Sequence, residues 1–174
     1  MTTALCPKCG HENILGVDLC DNCGADMSAE NLPHADTSVE RTLMHEKIGS
    51  LPRNAPVSAK PTTTVAEAVA LLADNGIGAL PVMEEEVGEK IVGIFSERDV
   101  LLKIGTDFDA LQHDRIADYM TPDPTCLAAD ATIGFAMHTM LFGDYRHVPI
   151  CEGDKLLGVV SGRSVLLHLL NNVR

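Results

Sequence analysis

The chain of 174 residues carries thirteen basic and twenty-five acidic side chains, a net charge of −12, with 45% hydrophobic residues, 3% aromatics and no tryptophan. The acidic excess removes any global attraction to phosphate backbones or anionic membranes, and the scarcity of rings removes the stacking surfaces that single-stranded nucleic acid uses. No apolar run reaches the length of a membrane span and no secretory signal precedes the cysteines, so the expectation is a cytoplasmic protein of one or two small domains with a real core.

The first element is a pair of knuckles, Cys6-Pro7-Lys8-Cys9-Gly10 and Cys20-Asp21-Asn22-Cys23-Gly24. In each, two thiolates face one ion and the glycine that follows permits the turn. Four sulfurs complete a tetrahedral shell, and a segment of about 25 residues cannot fold on an apolar core alone. Cys6, Cys9, Cys20 and Cys23 are therefore expected to hold a structural Zn2+, with iron as the other ion that sulfur ligation accepts. Four cysteines leave no open position for catalysis, a cytosolic chain argues against disulfides, and His11 reads as an exposed loop residue rather than a substitute ligand. The segment resembles short zinc ribbons of the CPxCG-x-x-N type, including Asn13 and the second CxxCGA, over nearly all of residues 4–27. It holds one lysine and no arginine against Glu12, Asp18, Asp21 and Asp26, which suits a protein partner better than nucleic acid.

Residues 25–37, with Pro33, read as a linker. Thr37 and Glu40 form a capping-box pair for a helix that places Val39, Leu43 and Ile48 on one face and stops near Gly49. Leu51 to Pro61 carries several prolines and is expected to be extended. A repeat then emerges at nearly constant offset: Pro56-Val57 with Pro124-Thr125, Thr64-Val65 with Thr132-Ile133, Pro81-Val82 with Pro149-Ile150, and Gly93 with Gly158. The length difference falls in a hairpin turn, where the acidic Glu84–Glu86 run, read as a solvated loop, is replaced by the shorter Glu152-Gly153-Asp154-Lys155. Each unit reads strand, helix, strand, hairpin, strand, helix. Thr64 and Glu67 cap the first helix, whose face is Val65, Ala68, Val69 and Leu72 and whose end is Asn75-Gly76. Ile133, Ala136, Met137, Met140 and Leu141 are expected to share the corresponding face in the second unit. Cys126 and Cys151 read as buried strand residues.

The strand-to-helix turn Gly93-Ile94-Phe95-Ser96-Glu97-Arg98-Asp99 returns as Gly158-Val159-Val160-Ser161-Gly162-Arg163-Ser164, with Ser164 in place of the aspartate. Gly93 leaves room for a ligand to approach, Ser96 offers a hydroxyl to a phosphate, and Asp99 offers a carboxylate to ribose hydroxyls. The same Ser-x-x-Asp spacing is also that of a helix capping box, and both readings stand.

These motifs, together with Gly78-Ala79-Leu80-Pro81-Val82, Arg146-His147-Val148-Pro149-Ile150 and Ile116-Ala117-Asp118-Tyr119-Met120-Thr121-Pro122, resemble a tandem pair of cystathionine β-synthase (CBS) domains over roughly residues 40–172. The resemblance implies an α/β (α+β) fold of two β-α-β-β-α units packed about a pseudo-twofold axis, with the chain divided as 1–27 ribbon, 28–48 linker and helix, 49–105 first unit and 106–174 second unit. It implies clefts for an adenosine-containing ligand: AMP, ADP, ATP or S-adenosylmethionine. Asp99 would hold the ribose, Ser96 a phosphate, and Val57, Ser58, Ala59, Ala79 and Leu80 the adenine. Arg146 and His147 would reach the phosphates from the other unit. The loss of the aspartate at Ser164 implies one dominant site per chain. Homodimerisation through the post-hairpin helices, Val100–Ile104 and Val165–Leu170, is also expected.

Three functions are in competition. The first is a non-enzymatic regulatory sensor of an adenosine ligand, with the ribbon as a contact for a protein partner. The second is a ribbon adaptor for a nucleic-acid or ribosomal partner, against which the acidic ribbon speaks. The third is an enzyme or redox protein, for which the sequence offers neither a nucleophile–base motif nor an open metal site.

Overall fold

The two cysteine knuckles fold as a unit of their own, Met1–Asp36, apart from a larger unit, Thr37–Arg174. The structure, a computed structural model, describes residues 3–6, 8–14, 16–27, 37–52, 56–84, 90–153 and 155–172. Pro33 of the linker and most of the acidic hairpin run, Glu85 and Glu86, lie outside the described residues.

In the smaller unit, β1 (Thr3–Leu5) pairs antiparallel with β2 (Glu12–Ile14). The Gly10 N–H donates to the Cys6 carbonyl and the Gly24 N–H to the Cys20 carbonyl, both at 2.9 Å. Both glycines hold left-handed φ values, +70° and +66°, which a side chain would strain. Met27 and Asn13 are buried beside Cys6 and Cys20.

The larger unit begins with α1 (Ser38–His45). Its capping box is formed: the Thr37 hydroxyl accepts from the Glu40 N–H at 3.1 Å, and Glu40 accepts the Thr37 N–H at 2.8 Å. The helix stops at His45, short of Gly49, and Ile48–Ser50 is a separate 3-10 turn. The reason lies in tertiary pairing. The Ile48 and Gly49 N–H groups are taken by the carbonyls of Ala131 and Ala129, at 2.9 and 2.8 Å, which draws Ile48 off the helix face and into the core of the second repeat.

In the first repeat, Ala59 bridges parallel to Val82, and α2 (Val65–Asn75) follows the Thr64–Glu67 capping box and ends at Gly76 with φ 59°. β3 (Ala79–Met83) and β4 (Ile91–Ser96) form the antiparallel hairpin. The short helix α3 (Glu97–Asp99) runs on into a π-helical turn, Val100–Ile104, and α4 (Phe108–Leu111) follows. β5 (Thr121–Pro122) returns to pair with β4. The core here is Val65, Ala68, Leu80, Val82, Phe95 and Ile116. Phe95 is wholly buried, and its truncation to alanine would cost about 3–5 kcal/mol.

The second repeat restates this order. β6 (Leu127–Ala128) lies parallel to β7 (His147–Glu152), which pairs with β8 (Lys155–Ser161), and α5 (Ile133–Gly143) and α6 (Gly162–Asn172) cover the sheet. Both hairpins shift register at the same place, between Val82 and Met83 and between Ile150 and Cys151. The fold is therefore the α+β pair of repeats that the sequence implied. Three details depart from it. Met137 and Leu141 are 39% and 77% exposed, because Ile133, Ala136 and Met140 alone make the buried stripe. Cys126 sits just before β6, half-buried, its Sγ 3.7 Å from the Pro124 carbonyl, whereas Cys151 is buried in β7. The space over Gly93 is taken by the Met120 side chain, so that glycine serves packing between β4 and β5 rather than the approach of a ligand.

Candidate functional site

Each repeat delivers one strand-to-helix turn, from β4 into α3 and from β8 into α6. The Ser96 N–H and hydroxyl both donate to Asp99 Oδ2, at 2.9 and 2.7 Å. Lys103 Nζ lies 2.7 Å from Oδ1, so the buried carboxylate caps its helix and pairs with a lysine one turn on. In the second turn, a neutral pair does the same work. The Ser161 N–H donates to Ser164 Oγ at 3.0 Å and the Ser164 N–H to Ser161 Oγ at 3.2 Å.

A cleft of about 1470 Å3 lies between the repeats. From the first repeat Val57, Gly78, Ala79, Glu97 and Arg98 line it; from the second, Asp144, Arg146, His147, Ser161 and Ser164. Of the residues singled out in the sequence, Val57, Ala79, Arg146 and His147 thus meet in one place. Ser58 is exposed, and Ala59 and Leu80 are buried in the core of the first repeat. Ser96 and Asp99 stand behind the wall, which their intervening neighbours Glu97 and Arg98 form.

Among the described residues, two contacts bridge the cleft. His147 is seated over Gly78, with Glu97 beside it. Burial lowers the His147 pKa below its usual 6.5, the Glu97 carboxylate opposes that, and Arg146 adds to it, so the ring is neutral at pH 7. Arg98 reaches Asp144 at the end of α5, donating to its carbonyl at 2.7 Å and to its carboxylate at 2.8 Å. The Arg98 hydrogen bond and charge hold the Asp144 carboxyl below the ordinary carboxylate range. Sequence reading missed Arg98, Glu97 and Asp144. Arg98 had a signal, since Arg163 follows the serine of the second turn at the same place.

The cysteine unit carries a second site. The Cys6, Cys9, Cys20 and Cys23 sulfurs lie within 4.8 Å of one another. The Cys6–Cys23 and Cys9–Cys20 separations are both 3.7 Å, far beyond the bond of about 2.05 Å in a disulfide. They equal the edge of about 3.8 Å expected for a tetrahedron with metal–sulfur bonds of about 2.3 Å. Asn13 orders the shell: its amide donates to the His11 carbonyl at 2.9 Å and toward Cys20 Sγ at 3.6 Å, while its oxygen accepts the Asp21 N–H at 2.9 Å. Burial opposes ionisation of Cys20, but the N–H groups of Cys23 and Asn22 and the Asn13 amide bring its thiol down to about 6. Cys23, despite the Ala25 N–H, is pushed up to about 12 by the sulfurs of Cys9, Cys6 and Cys20 and by burial. Four thiolates so close repel one another, and a bound cation is what relieves them. The donor set fits a tetrahedral metal ion, and His11 takes no part in it.

Comparison with known proteins places the larger unit. The CBS domain family matches residues 48–105 and 116–171. The uncharacterized protein YlbB of Bacillus subtilis is 34% identical over 110 residues, covering 63% of this chain and 73% of that protein. The CBS-domain containing protein ATU1752 from Agrobacterium tumefaciens superposes with a TM-score of 0.64 at 26% identity, over 71% of this chain and 98% of that one. The CBS domain protein PAE2072 from Pyrobaculum aerophilum, solved in complex with AMP, superposes with a TM-score of 0.63 at 25% identity, over 72% and 99%. Among the described residues, no helix is long and apolar enough to cross a membrane.

Proposed function

The chain belongs to the CBS-domain family, and we propose that it is a non-enzymatic cytoplasmic sensor that binds an adenosine nucleotide between its two repeats. The observation that carries this reading is the cleft, in which Arg98, Arg146 and Arg163 converge in a chain of net charge −12. Local geometry there supplies the cation field that the chain as a whole lacks, and guanidinium is the group best shaped for phosphate. The AMP complex of the Pyrobaculum protein supports the same class of ligand. In this reading Val57 and Ala79 flank the base, with Ala59 and Leu80 packed in the core behind them, Arg146 and His147 take phosphate, and Ser96 and Asp99 turn toward the ligand. Asp99 then exchanges its contact with Lys103 for the ribose hydroxyls. A ligand shared by two repeats acts by its differential affinity for two arrangements of them.

The four-cysteine site holds Zn2+ as a structural ion, and the ribbon is the surface offered to a protein partner. A second copy of the chain covers the exposed leucines Leu101, Leu102, Leu167 and Leu170, which are 75%, 72%, 48% and 65% exposed. Patches of that kind are seldom left to water. Native mass spectrometry of freshly purified protein tests the reading in one measurement. One zinc per chain, a co-purified adenosine nucleotide and a dimer are expected, and a metal-free monomer without affinity for nucleotides would overturn it.

A further inference from the structure

The arginines of the cleft are not equivalent. Arg98 and Arg163 occupy the same place in the two turns, each two residues after its serine, and both line the cleft. Arg98 is held by Asp144, whereas Arg163 makes no ion pair among the described residues. The cause is a single difference between the repeats. Asp144 ends α5 with φ 52°, and its counterpart Gly76 ends α2 with φ 59°. The backbone conformation is the same, so the turn itself does not require a carboxylate. The asparagine and glycine that suit this conformation elsewhere would serve it as well.

Asp144 is paired with Arg98 alone, and the charge of Arg146 adds only a weaker, longer-range attraction. Both partners of the Arg98–Asp144 pair are open to water, with side chains 55% and 85% exposed. Such a pair is weak and exchanges easily. A phosphate accepts the same two parallel N–H bonds from a guanidinium as a carboxylate does and carries more charge, so it is a suitable competitor for Arg98.

We propose that Asp144 is an internal stand-in for a ligand phosphate, displaced from Arg98 by the distal phosphates of a nucleoside di- or triphosphate, so that the cleft selects by phosphate-chain length. This rests on the nucleotide reading above. A monophosphate is met by Arg146 and Arg163, neither of which forms an ion pair among the described residues. A longer chain carries further negative charge and reaches the third guanidinium.

The test is calorimetric titration of the full chain with AMP, ADP and ATP, without added magnesium, for the wild type, Arg98→Gln and Asp144→Asn. Both positions are exposed and asparagine tolerates the backbone of residue 144, and melting curves recorded alongside verify that the variants fold. The wild type should bind ATP about tenfold more tightly than AMP. Arg98→Gln should bring that ratio to about one, and Asp144→Asn should raise it about threefold by freeing Arg98. AMP binding with a ratio that neither variant changes overturns this proposal and leaves the nucleotide reading intact. Failure of every adenosine nucleotide to bind overturns both.

Discussion

Gly78 of the first repeat lies beneath the imidazole of His147 from the second: a β-carbon built on Gly78 falls 2.6 Å from Nε2 and 2.7 Å from Cε1. The contact joins the entry of β3 to the first residue of β7, beside the cleft, and it leaves no room for a methyl group. Gly78→Ala should therefore push the ring out of its seat and cost about 1–3 kcal/mol, the usual effect of overpacking. Chemical denaturation measures that loss. Adding His147→Ala to Gly78→Ala should recover most of it, because the atom that clashes is a side-chain tip rather than backbone.

The same burial makes His147 a source of pH dependence. Its folded pKa lies below the usual 6.5, held down by burial and Arg146 against the pull of Glu97. The unfolded chain then binds the proton more readily than the folded one. Stability is therefore undiminished above pH 6.5 and falls as the pH drops from there toward the folded pKa. Wild type and His147→Gln, denatured at a series of pH values between about 7.5 and 5.5, should differ in slope, with the wild type losing stability more steeply.

The ribbon should depend on its metal and the repeats should not. Among the described residues of Met1–Asp36 only Cys6, Asn13, Cys20 and Met27 are buried, so the unit has almost no core beyond the cysteine shell. Cys20→Ser should abolish metal binding and unfold residues 3–27, while the melting of residues 37–172 is retained. Metal analysis and amide spectra report both. A Cys20→Ser protein that keeps its metal would contradict the assignment.

Removal of the exposed apolar face should change the assembly. Leu167→Glu with Leu170→Glu introduces charge on α6 where both leucines are open. Light scattering at micromolar concentration should show a dimer for the wild type and a monomer for the double variant, with unchanged melting of the repeats. A wild-type monomer would count against a second copy as the cover.

Much of this fold was legible because its signals are local. The Thr37–Glu40 and Thr64–Glu67 boxes mark the starts of α1 and α2, and Gly76 marks the end of α2 through a φ that glycine tolerates. The knuckles of the cysteine unit are equally local, each closed by two N–H to carbonyl bonds, Gly10 to Cys6 and Cys6 to His11 in the first, Gly24 to Cys20 and Cys20 to Ala25 in the second. What stayed hidden depends on partners far along the chain. Ile48 and Gly49 left the helix for the carbonyls of Ala131 and Ala129, and Met120 filled the space over Gly93. The cleft was half legible for the same reason. Arg146 and His147 stand in a motif that repeats, whereas the meaning of Arg98 and Asp144 arises only when the two repeats face one another.

The central claim is that an adenosine nucleotide binds this chain through Asp99. Calorimetric titration of the wild type, Asp99→Ala and Ser164→Ala with AMP and ATP, beside their melting curves, tests it most directly. The account predicts one dominant site per chain, weakened by about 1.5–3 kcal/mol in Asp99→Ala, as expected when charge-assisted bonds to ribose hydroxyls are lost. Ser164→Ala should bind much as the wild type does. Unchanged affinity in Asp99→Ala with melting lowered by the loss of a helix cap, or no binding of either nucleotide to the wild type, would contradict it.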